Sequence, residues 1–176
     1  ITKKDLYEAP IHTWKIHEFG INAVCFKQRL RALEIYQTKR LIPLFTKYLP
    51  QFQQLQHLCI IGRHPAVNFD SVFANIDSIQ QPFNDMFNIK DLRQLIIQNI
   101  ALPIQLDSLL ACAGNAAYLH GLYINNCSIE GIIPDIFEPL KNLKVFNVAN
   151  NNLTGSLPPS LLSSLTIQVI DIRHNA

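Results

Sequence analysis

The stretch LKNLKVFNVANNNLTGSLP, which spans residues 140–158, shares its pattern of apolar residues with two other parts of the chain. Moving back by 24 positions takes Phe146 to Leu122, and moving forward by 24 positions takes it to Ile170. The apolar residue two positions later follows the same step each time. A repeat of this length is typical of a solenoid, in which every repeat adds one strand to a continuous sheet.

Three looser copies of the strand pattern precede these, around Leu33, Leu58 and Leu95. The distances between equivalent positions of successive strands are 25, 37, 27, 24 and 24 residues. We therefore expect about six strands over residues 30–176, irregular up to residue 115 and regular from residue 116. Residues 1–29 do not fit the pattern and are predicted to form an N-terminal capping region, because the end of a solenoid needs a cover.

The segments between the strands differ in length and composition. The longest, from Asn68 to Phe87, is predicted to leave the repeat on the convex side or at an edge. Apolar stretches at residues 106–112, 136–140 and 158–164 suit short helical or 3-10 segments that return the chain to the next strand. The predicted fold is an α/β solenoid, a horseshoe or superhelix with a parallel concave β-sheet and short helical or 3-10 convex segments.

Side chains alternate between the two faces of a strand, so the paired apolar residues face the core and the residues between and after them face solvent. The predicted partner-binding residues on the concave face are Glu34, Tyr36, Ile61, Arg93, Ile96, Gln98, Tyr123, Asn125, Asn147, Asp171 and Arg173. Basic and histidine side chains fall near the strand entrances in less exact register: Arg31, His57, Arg93, His120 and Lys144.

Two features of this face favour a role in binding. Tyrosine and arginine are frequent anchors of protein interfaces, and the face carries Tyr36, Arg93 and Tyr123. Ile61 and Ile96 on an exposed sheet indicate an apolar patch that a partner covers. The alternative is an ordinary surface with scattered apolar residues.

Asn151 and Asn175 follow the last two strands, where the chain must leave the sheet. A buried asparagine amide both donates and accepts, so it can pair backbone groups that the turn would leave without partners. Cys127 takes this position in the preceding repeat, where a structural role is favoured over a catalytic thiol. The earlier repeats hold other residue types there: Thr38, Arg63 and Ile100.

The composition places the chain among folded proteins with a sizeable core. It has 48% hydrophobic and 16% charged residues, and its 15 basic and 13 acidic residues are scattered. This balance gives no reason to expect a nucleic-acid or anionic-membrane partner. No stretch approaches about 18 consecutive apolar residues, so we expect no membrane insertion. The chain begins at Ile1 without a leader sequence, so we expect any targeting peptide to be removed or to lie outside it.

Known motifs of catalysis and of metal binding are missing from the sequence. The chain has no HExxH, no GxSxG and no phosphate-binding glycine-rich loop, so we expect no enzyme, no metal and no cofactor. Asp171 and His174 are close in sequence, but a solvated strand edge is favoured over an acid/base pair. His57 and His120 belong to repeats that a third repeat separates, which is too far for one metal ion.

The four cysteines are widely spaced and form no CxxC pair, which argues against a disulfide framework or a zinc knuckle. Two N-x-Ser/Thr sequons, at Asn126 and Asn152, are candidate N-glycosylation sites and favour the secretory route. Asn126 would lie at a strand exit beside the concave face, and Asn152 in the following turn. A glycan on Asn126 would obstruct that end of the sheet.

The segment from Leu153 to Pro158, which reads LTGSLP, resembles the L-T-G-x-I-P signature of plant-specific leucine-rich repeats, and residues 129–134 are a weaker copy. Such repeats form the ectodomains of receptor-like kinases and receptor-like proteins, and polygalacturonase-inhibiting proteins. In that family the signature adds a second short strand beside the concave sheet and twists the solenoid. The family's cap motif is similar to a group of residues before the first strand: Trp14, Gly20, Val24 and Cys25. Their spacing differs from that of the family motif, and the partner cysteine of the motif is missing. The sequence therefore does not decide whether a capping disulfide forms.

The resemblance implies a non-catalytic recognition module that binds a protein or peptide on the concave face. It also implies a longer receptor-like or inhibitor-like protein that is extracellular or at the cell surface. Because the chain stops at Ala176, just after a strand, we expect further repeats or other subunits to cover that edge. The alternative is a structural subunit that packs permanently within a larger intracellular assembly. The fold by itself does not name the ligand.

Overall fold

The computed structural model describes residues 13–16, 30–36, 52–62, 80–102 and 104–176. The strands in these ranges are β1 Thr13–Ile16, β2 Ala32–Tyr36, β3 His57–Ile61, β4 Gln94–Gln98, β5 Gly121–Asn125, β6 Glu130–Ile132, β7 Val145–Asn147, β8 Asn152–Thr154 and β9 Val169–Asp171. The helices are α1 Gln80–Phe87, α2 Leu106–Ala111 and α3 Pro159–Leu162, and a 3-10 segment covers Cys112–Asn115.

All of these strands except β6 and β8 form one parallel sheet, the main sheet, in chain order. Each strand pairs with the next in the register that the repeat predicts. The first apolar residues of the strand pattern lie side by side in one row: Leu33, Leu58, Leu95, Leu122, Phe146 and Ile170. The predicted parallel solenoid is therefore confirmed.

β1 lies within residues 1–29, for which the sequence predicts a capping region. It runs parallel to β2, with Trp14 opposite Leu33, and so adds one strand to those that the repeat pattern predicts. Other residues of these predictions lie outside the described ranges: Gly20, Val24, Cys25, Thr38 and Arg63.

Alternation within each strand sends one set of side chains into the core. Leu122 and Ile124 of β5 are both 0% exposed. Phe146 of β7 is also fully buried and packs edge-to-face on Phe137, with the ring centroids 5.0 Å apart. Burial of each such side chain contributes about 1.5–3 kcal/mol, so the row of strands is also the row of core contacts that stabilises the fold.

The return segments cover the same core. α1 forms the end of the predicted insertion, buries Phe87, and packs against α2 and the 3-10 segment. α2 and α3 occupy two of the three predicted helical stretches. The third, residues 136–140, contains a single turn in which Leu140 N donates to Phe137 O over 3.0 Å. Pro139 lacks the amide hydrogen that a longer helix would need. Residues 68–79 of the insertion lie outside the described residues.

β6 and β8 pair with each other in a separate short sheet, which confirms the second strand that the family resemblance implies. Gly131 within β6 and Gly155 after β8 have φ angles of +100° and +85°. Glycine adopts this left-handed region without strain, whereas a side chain would not. The glycine of the signature is therefore required by the backbone path.

The last described strand has less cover than the others. Ile170 is 39% exposed, whereas its counterpart Phe146 is fully buried. Val169 is 50% exposed, and Leu165 in the preceding segment is fully exposed. The side of β9 that faces away from β7 therefore presents apolar side chains to solvent.

Candidate functional site

The open face of the main sheet, meaning the side opposite the core, presents its side chains in rows that run across the strands. From β2 to β9, the middle row is Glu34, Cys59, Ile96, Tyr123, Asn147 and Asp171. The row at the strand ends contains Tyr36, Ile61, Gln98 and Asn125, and Ala149 and Arg173 hold the same positions after β7 and β9. Neighbouring strands are ~4.8 Å apart, so each row is a continuous stripe.

A further row lies at the strand starts: Ala32, His57, Gln94, Gly121, Val145 and Val169. Of these residues, the sequence placed only His57 near the strand entrances. Each residue of this row lies two positions before a residue of the middle row. The row could therefore have been predicted, because alternate residues of a strand share a face. His57 Nδ1 lies 3.0 Å from Oε1 of Gln94 in the next strand.

The centre of the open face is apolar. Ile96 has Cys59 and Tyr123 as its neighbours in the middle row, and Ile61 lies diagonally across from it. All four side chains are half-buried. The ring of Tyr123 lies over Gly121, since a Cβ built on that glycine would be 2.8 Å from Cε2 of the tyrosine. The missing side chain of Gly121 thus gives the ring room to lie along the sheet.

The two ends of the middle row are polar and internally paired. Tyr36 Oη donates to Glu34 Oε2 over 2.9 Å. At the other end, Arg173 donates from Nε and Nη2 to the two carboxylate oxygens of Asp171, each over 2.9 Å. These hydrogen bonds lower the pKa of Asp171 to about 2. Asn147 Nδ2 also approaches Asp171 Oδ2, at 3.4 Å.

Asn125 carries a buried amide oxygen for which the described residues supply no hydrogen-bond donor. It lies opposite the half-buried Gln98, and in the next repeat its position is occupied by the buried Ala149. An acceptor buried in this way costs about 1–3 kcal/mol. The amide of Asn125 therefore lowers the stability of the fold.

Arg93 lies one residue before β4 and is exposed, so it is outside the three rows of the open face. Backbone hydrogen bonds align it with His120 and Lys144: His120 N donates to Arg93 O, and Lys144 N donates to His120 O. The same ladder continues to Gln56 and Arg31 in the other direction. Arg93 thus belongs to a row along the entrance edge of the sheet, next to the open face.

The two sequons differ in their surroundings. Asn126 has a φ of 54°, and its Nδ2 donates to Asn99 Oδ1 over 2.8 Å at the strand exit. Asn152 is exposed and is the first residue of β8, so the prediction of a turn there is wrong. The pairing of Asn152 with Glu130 extends the backbone at this point and replaces the turn.

Asn151 shows how the strand exits are held. Its Nδ2 donates to Ile124 O over 2.6 Å and to Val148 O over 2.9 Å, and its Oδ1 accepts from Cys127 N over 2.9 Å. Asn175 makes hydrogen bonds of the same kind one repeat later: its Oδ1 accepts from Leu153 N, and its Nδ2 donates to Val148 O. Each amide thus connects two repeats.

Cys127 continues this column in the repeat before Asn151. Its Sγ donates to Asn125 O over 3.2 Å, and burial raises the pKa of the thiol to about 12. A thiol in this state stays protonated at neutral pH, so it is a poor nucleophile. Ile100, in the corresponding position one repeat earlier, is buried and apolar.

Within the described ranges, no cluster of three histidine, cysteine or acidic side chains is arranged to hold a metal ion. The Asp171 carboxylate is hydrogen-bonded to Arg173, and His174 adopts a φ of 57° at the strand exit. Cys127 is a free thiol. None of the helices in this part of the chain has the length and apolar character that a bilayer crossing requires.

A cavity of about 320 Å³ lies away from the open face, beside the short second sheet. Its lining is Leu102, Ile104, Gln105, Ser128 and Glu130. This cavity was not predicted from the sequence, because it depends on how the irregular segment at residues 102–105 packs against the regular repeat.

Proteins with leucine-rich repeats are similar to this chain in sequence and in fold. Residues 117–176 match the leucine rich repeat family. A probable LRR receptor-like serine/threonine-protein kinase of Arabidopsis thaliana is 29% identical over 94 residues, which are 53% of this chain and 9% of that protein. The chain thus spans about a tenth of the length of this curated relative.

Two solved structures are also similar. One is the LRR ectodomain of the plant membrane receptor kinase GASSHO1/SCHENGEN3 from Arabidopsis thaliana, in complex with CASPARIAN STRIP INTEGRITY FACTOR 2. Its TM-score is 0.50 at 16% identity, over 84% of this chain and 19% of that one. The LRR ectodomain of the receptor kinase SOBIR1 from Arabidopsis thaliana has a TM-score of 0.38 at 15% identity, over 83% and 55% of the two chains. The repeat geometry and the fold shared with the first ectodomain identify this chain as a leucine-rich-repeat solenoid, whose residues 117–176 also match the family by sequence.

Proposed function

We propose that this chain is a recognition module that binds a protein or peptide on the open face of its main sheet, which is the concave face of the solenoid. The observation that carries the proposal is the apolar centre formed by Ile61, Ile96 and Tyr123, all half-buried in adjacent strands. A partner that covers these side chains removes apolar surface from water, which is worth about 25 cal/mol per Å².

The polar ends of the middle row suit a role in orientation. Glu34 is held by Tyr36, and Asp171 is held by Arg173, so both carboxylates keep a fixed position. Charges that are fixed before binding cost less conformational entropy when a partner pairs with them. The apolar centre would then supply affinity, and the ends would select the direction and register of the partner.

The similar proteins support the same class of function. The GASSHO1/SCHENGEN3 ectodomain is in complex with CASPARIAN STRIP INTEGRITY FACTOR 2, and the curated relative is a probable receptor-like kinase. By analogy of fold, we propose that this chain belongs to a longer extracellular or cell-surface receptor-like or inhibitor-like protein. The chain itself would be non-catalytic, and any signalling activity would belong to other parts of that protein.

Panning of a random peptide library on the 176-residue chain tests the proposal. Selected peptides are measured against the wild type, Tyr123→Ala and a matched control, Tyr118→Ala. Tyr118 is 55% exposed and lies outside the main sheet. Loss of a central aromatic anchor should weaken binding by about 30-fold, since such anchors contribute about 2 kcal/mol. Equal losses for the two variants, or no selected peptide, would contradict binding on the open face.

The exposed apolar residues at β9 favour a second candidate, a structural subunit packed permanently within a larger assembly. Ile170 and Val169 are more exposed than residues of a strand that is covered on both sides, and further repeats or another subunit would bury them. Sedimentation separates the candidates. A recognition module stays monomeric and binds selected peptides through Tyr123. A structural subunit self-associates until Ile170→Lys removes the apolar edge, and it selects no peptide.

A further inference from the structure

The entrance edge of the main sheet carries a concentration of positive charge. Three consecutive repeats contribute the segments KDLR at residues 90–93, AYLH at 117–120 and KNLK at 141–144. The leucine of each segment is buried, and the basic side chains around it are exposed: Lys90, Arg93, Lys141 and Lys144. These four residues and the half-buried His120 are called the basic flank below.

The backbone fixes the relative positions of the flank. His120 N donates to Arg93 O over 2.7 Å, and Lys144 N donates to His120 O over 2.8 Å. Arg93, His120 and Lys144 therefore occupy one row, with neighbours ~4.8 Å apart at the backbone. They lie three residues from Ile96, Tyr123 and Asn147, which corresponds to ~10 Å along each strand.

The positive charge of the flank is not neutralised within the described residues. None of its side chains forms an ion pair there, in contrast to Arg173 with Asp171. The three segments contain one carboxylate, Asp91, which is half-buried, against four lysine or arginine residues. His120 has its Nδ1 2.6 Å from the carbonyl oxygen of Tyr118. Like charges held side by side in this way attract an anionic partner.

We propose that the basic flank recognises carboxylates of an acidic peptide segment whose apolar side chains lie on Ile96 and Tyr123. This inference rests on the proposed function and specifies the chemistry of the partner. The segment runs along the middle row, across the strands, with its acidic side chains directed toward the entrance edge. Arg93 suits bidentate pairing with a carboxylate, and Lys144 supplies a mobile point charge.

The test uses peptides selected on the wild-type chain, each compared with an analogue in which every glutamate and aspartate is replaced by glutamine or asparagine. The acidic peptides should bind about tenfold more tightly than their analogues, and this difference should shrink as salt is raised. The double variant Arg93→Gln/Lys144→Gln should remove most of the difference. Both side chains are exposed, so the variant should keep its circular dichroism spectrum and melting temperature.

The matched control is Ser156→Glu/Ser163→Glu, which lowers the net charge by the same amount at exposed positions outside the main sheet. It should leave most of the preference for acidic peptides in place. An equal loss for Ser156→Glu/Ser163→Glu would contradict the placement on the basic flank. Selection of peptides without acidic residues that still depend on Tyr123 would overturn this inference and leave the proposed function in place. Poly-glutamate that binds as tightly as the selected peptides would also overturn it, because poly-glutamate has no apolar side chains.

Discussion

The amides of Asn151 and Asn125 both lie near strand exits, yet their surroundings give them opposite effects on stability. Asn151 is 6% exposed, and both of its amide atoms are hydrogen-bonded to backbone groups of two repeats. Asn125 has a buried oxygen without a donor in the described structure. An asparagine side chain therefore stabilises the fold at position 151 and destabilises it at position 125.

This contrast gives a prediction on two matched substitutions. Asn151→Ala should lower the free energy of unfolding by about 3 kcal/mol or more, because it leaves several buried backbone groups without partners. Asn125→Ala should change it by less than about 0.5 kcal/mol or raise it, because Ala149 shows that a methyl group fits the corresponding position. Urea unfolding followed by circular dichroism measures both. Similar losses for the two variants would contradict the assignment.

The carboxyl group of Asp171 should titrate at an unusually low pH. Its pKa in the folded chain is about 2, below the ordinary value of 3.8, because Arg173 donates hydrogen bonds to it. The carboxylate therefore favours the folded state above about pH 3.8, and this contribution disappears as the pH falls through about 2. NMR titration of the side-chain carboxyl carbon should show the low pKa in the wild type and a clearly higher pKa in Arg173→Gln. An unchanged pKa in the variant would show that Arg173 is not the cause.

The difference between the two sequons predicts where a glycan would attach. Asn152 is exposed on β8. Asn126 is less accessible, because its Nδ2 is hydrogen-bonded to Asn99 and the next residue, Cys127, is buried. After expression in a plant secretory pathway, intact mass should show a glycan that Asn152→Gln removes and Asn126→Gln does not. Bare asparagines in that material would contradict the extracellular part of the proposed function.

Individual residues were predictable from the sequence where the repeat defines their neighbours. The amides of Asn151 and Asn175 follow directly from the 24-residue step, and the order of the middle row follows from the apolar strand pattern and strand alternation. The left-handed residues at the strand exits were not predicted: Asn99, Asn126, Asn150 and His174, with φ between 54° and 57°. Their conformation is imposed by the exit geometry, and one of the four is not even an asparagine.

At the level of elements, the exit of β3 depends on a glycine that packs against the next repeat. Gly62 N donates to Gln98 O over 2.8 Å. A Cβ built on Gly62 would lie 2.1 Å from Asn99 O and 2.8 Å from Ile100 Cγ1. The backbone oxygen cannot move aside without disturbing the pairing of β3 with β4, so only glycine permits this approach of two repeats.

Gly62→Ala should therefore destabilise the chain by about 1–3 kcal/mol, as overpacking does in a close-packed interior. Gly114 is the matched control, since a Cβ built there meets nothing within 4 Å. Gly114→Ala should be neutral or stabilise by about 0.4–1 kcal/mol, because alanine restricts the unfolded chain. Thermal unfolding of the two variants and the wild type measures the difference. A stable Gly62→Ala protein would show that the two exits are farther apart than the structure has them.

Most elements of the fold were predictable because they carry the apolar strand pattern, and β2 to β5, β7 and β9 lie where the pattern puts them. β1 was not predicted as part of the sheet, because Thr13–Ile16 lacks that pattern and lies outside the regular spacing. Residues 136–140, predicted to be a short helical or 3-10 segment, form a single turn, because Pro139 lacks the amide hydrogen that a longer helix needs. Local backbone chemistry thus overrides a short apolar periodicity.

For the whole molecule, the repeat has one consequence for function: it turns single residues of separate repeats into stripes. Ile61, Ile96 and Tyr123 come from three strands and form one apolar centre only because the strands pair in register. Arg93, His120 and Lys144 form one basic row for the same reason. The sequence predicted the middle row and the row at the strand ends. It grouped Arg93 with them, because the pattern did not show that the strand begins one residue later.

Binding of a peptide on the open face is tested most directly by methyl NMR. The 176-residue chain is labelled at the isoleucine δ1 methyl groups and titrated with a selected peptide. Ile61 and Ile96 report on the open face. Ile132, which is 53% exposed on β6, and Ile170, which is 39% exposed on β9, are internal controls away from the proposed site. Binding on the open face predicts saturable shifts for Ile61 and Ile96 with the affinity measured for the peptide, and no shift for Ile132 and Ile170. Shifts confined to Ile132 or Ile170 would contradict it.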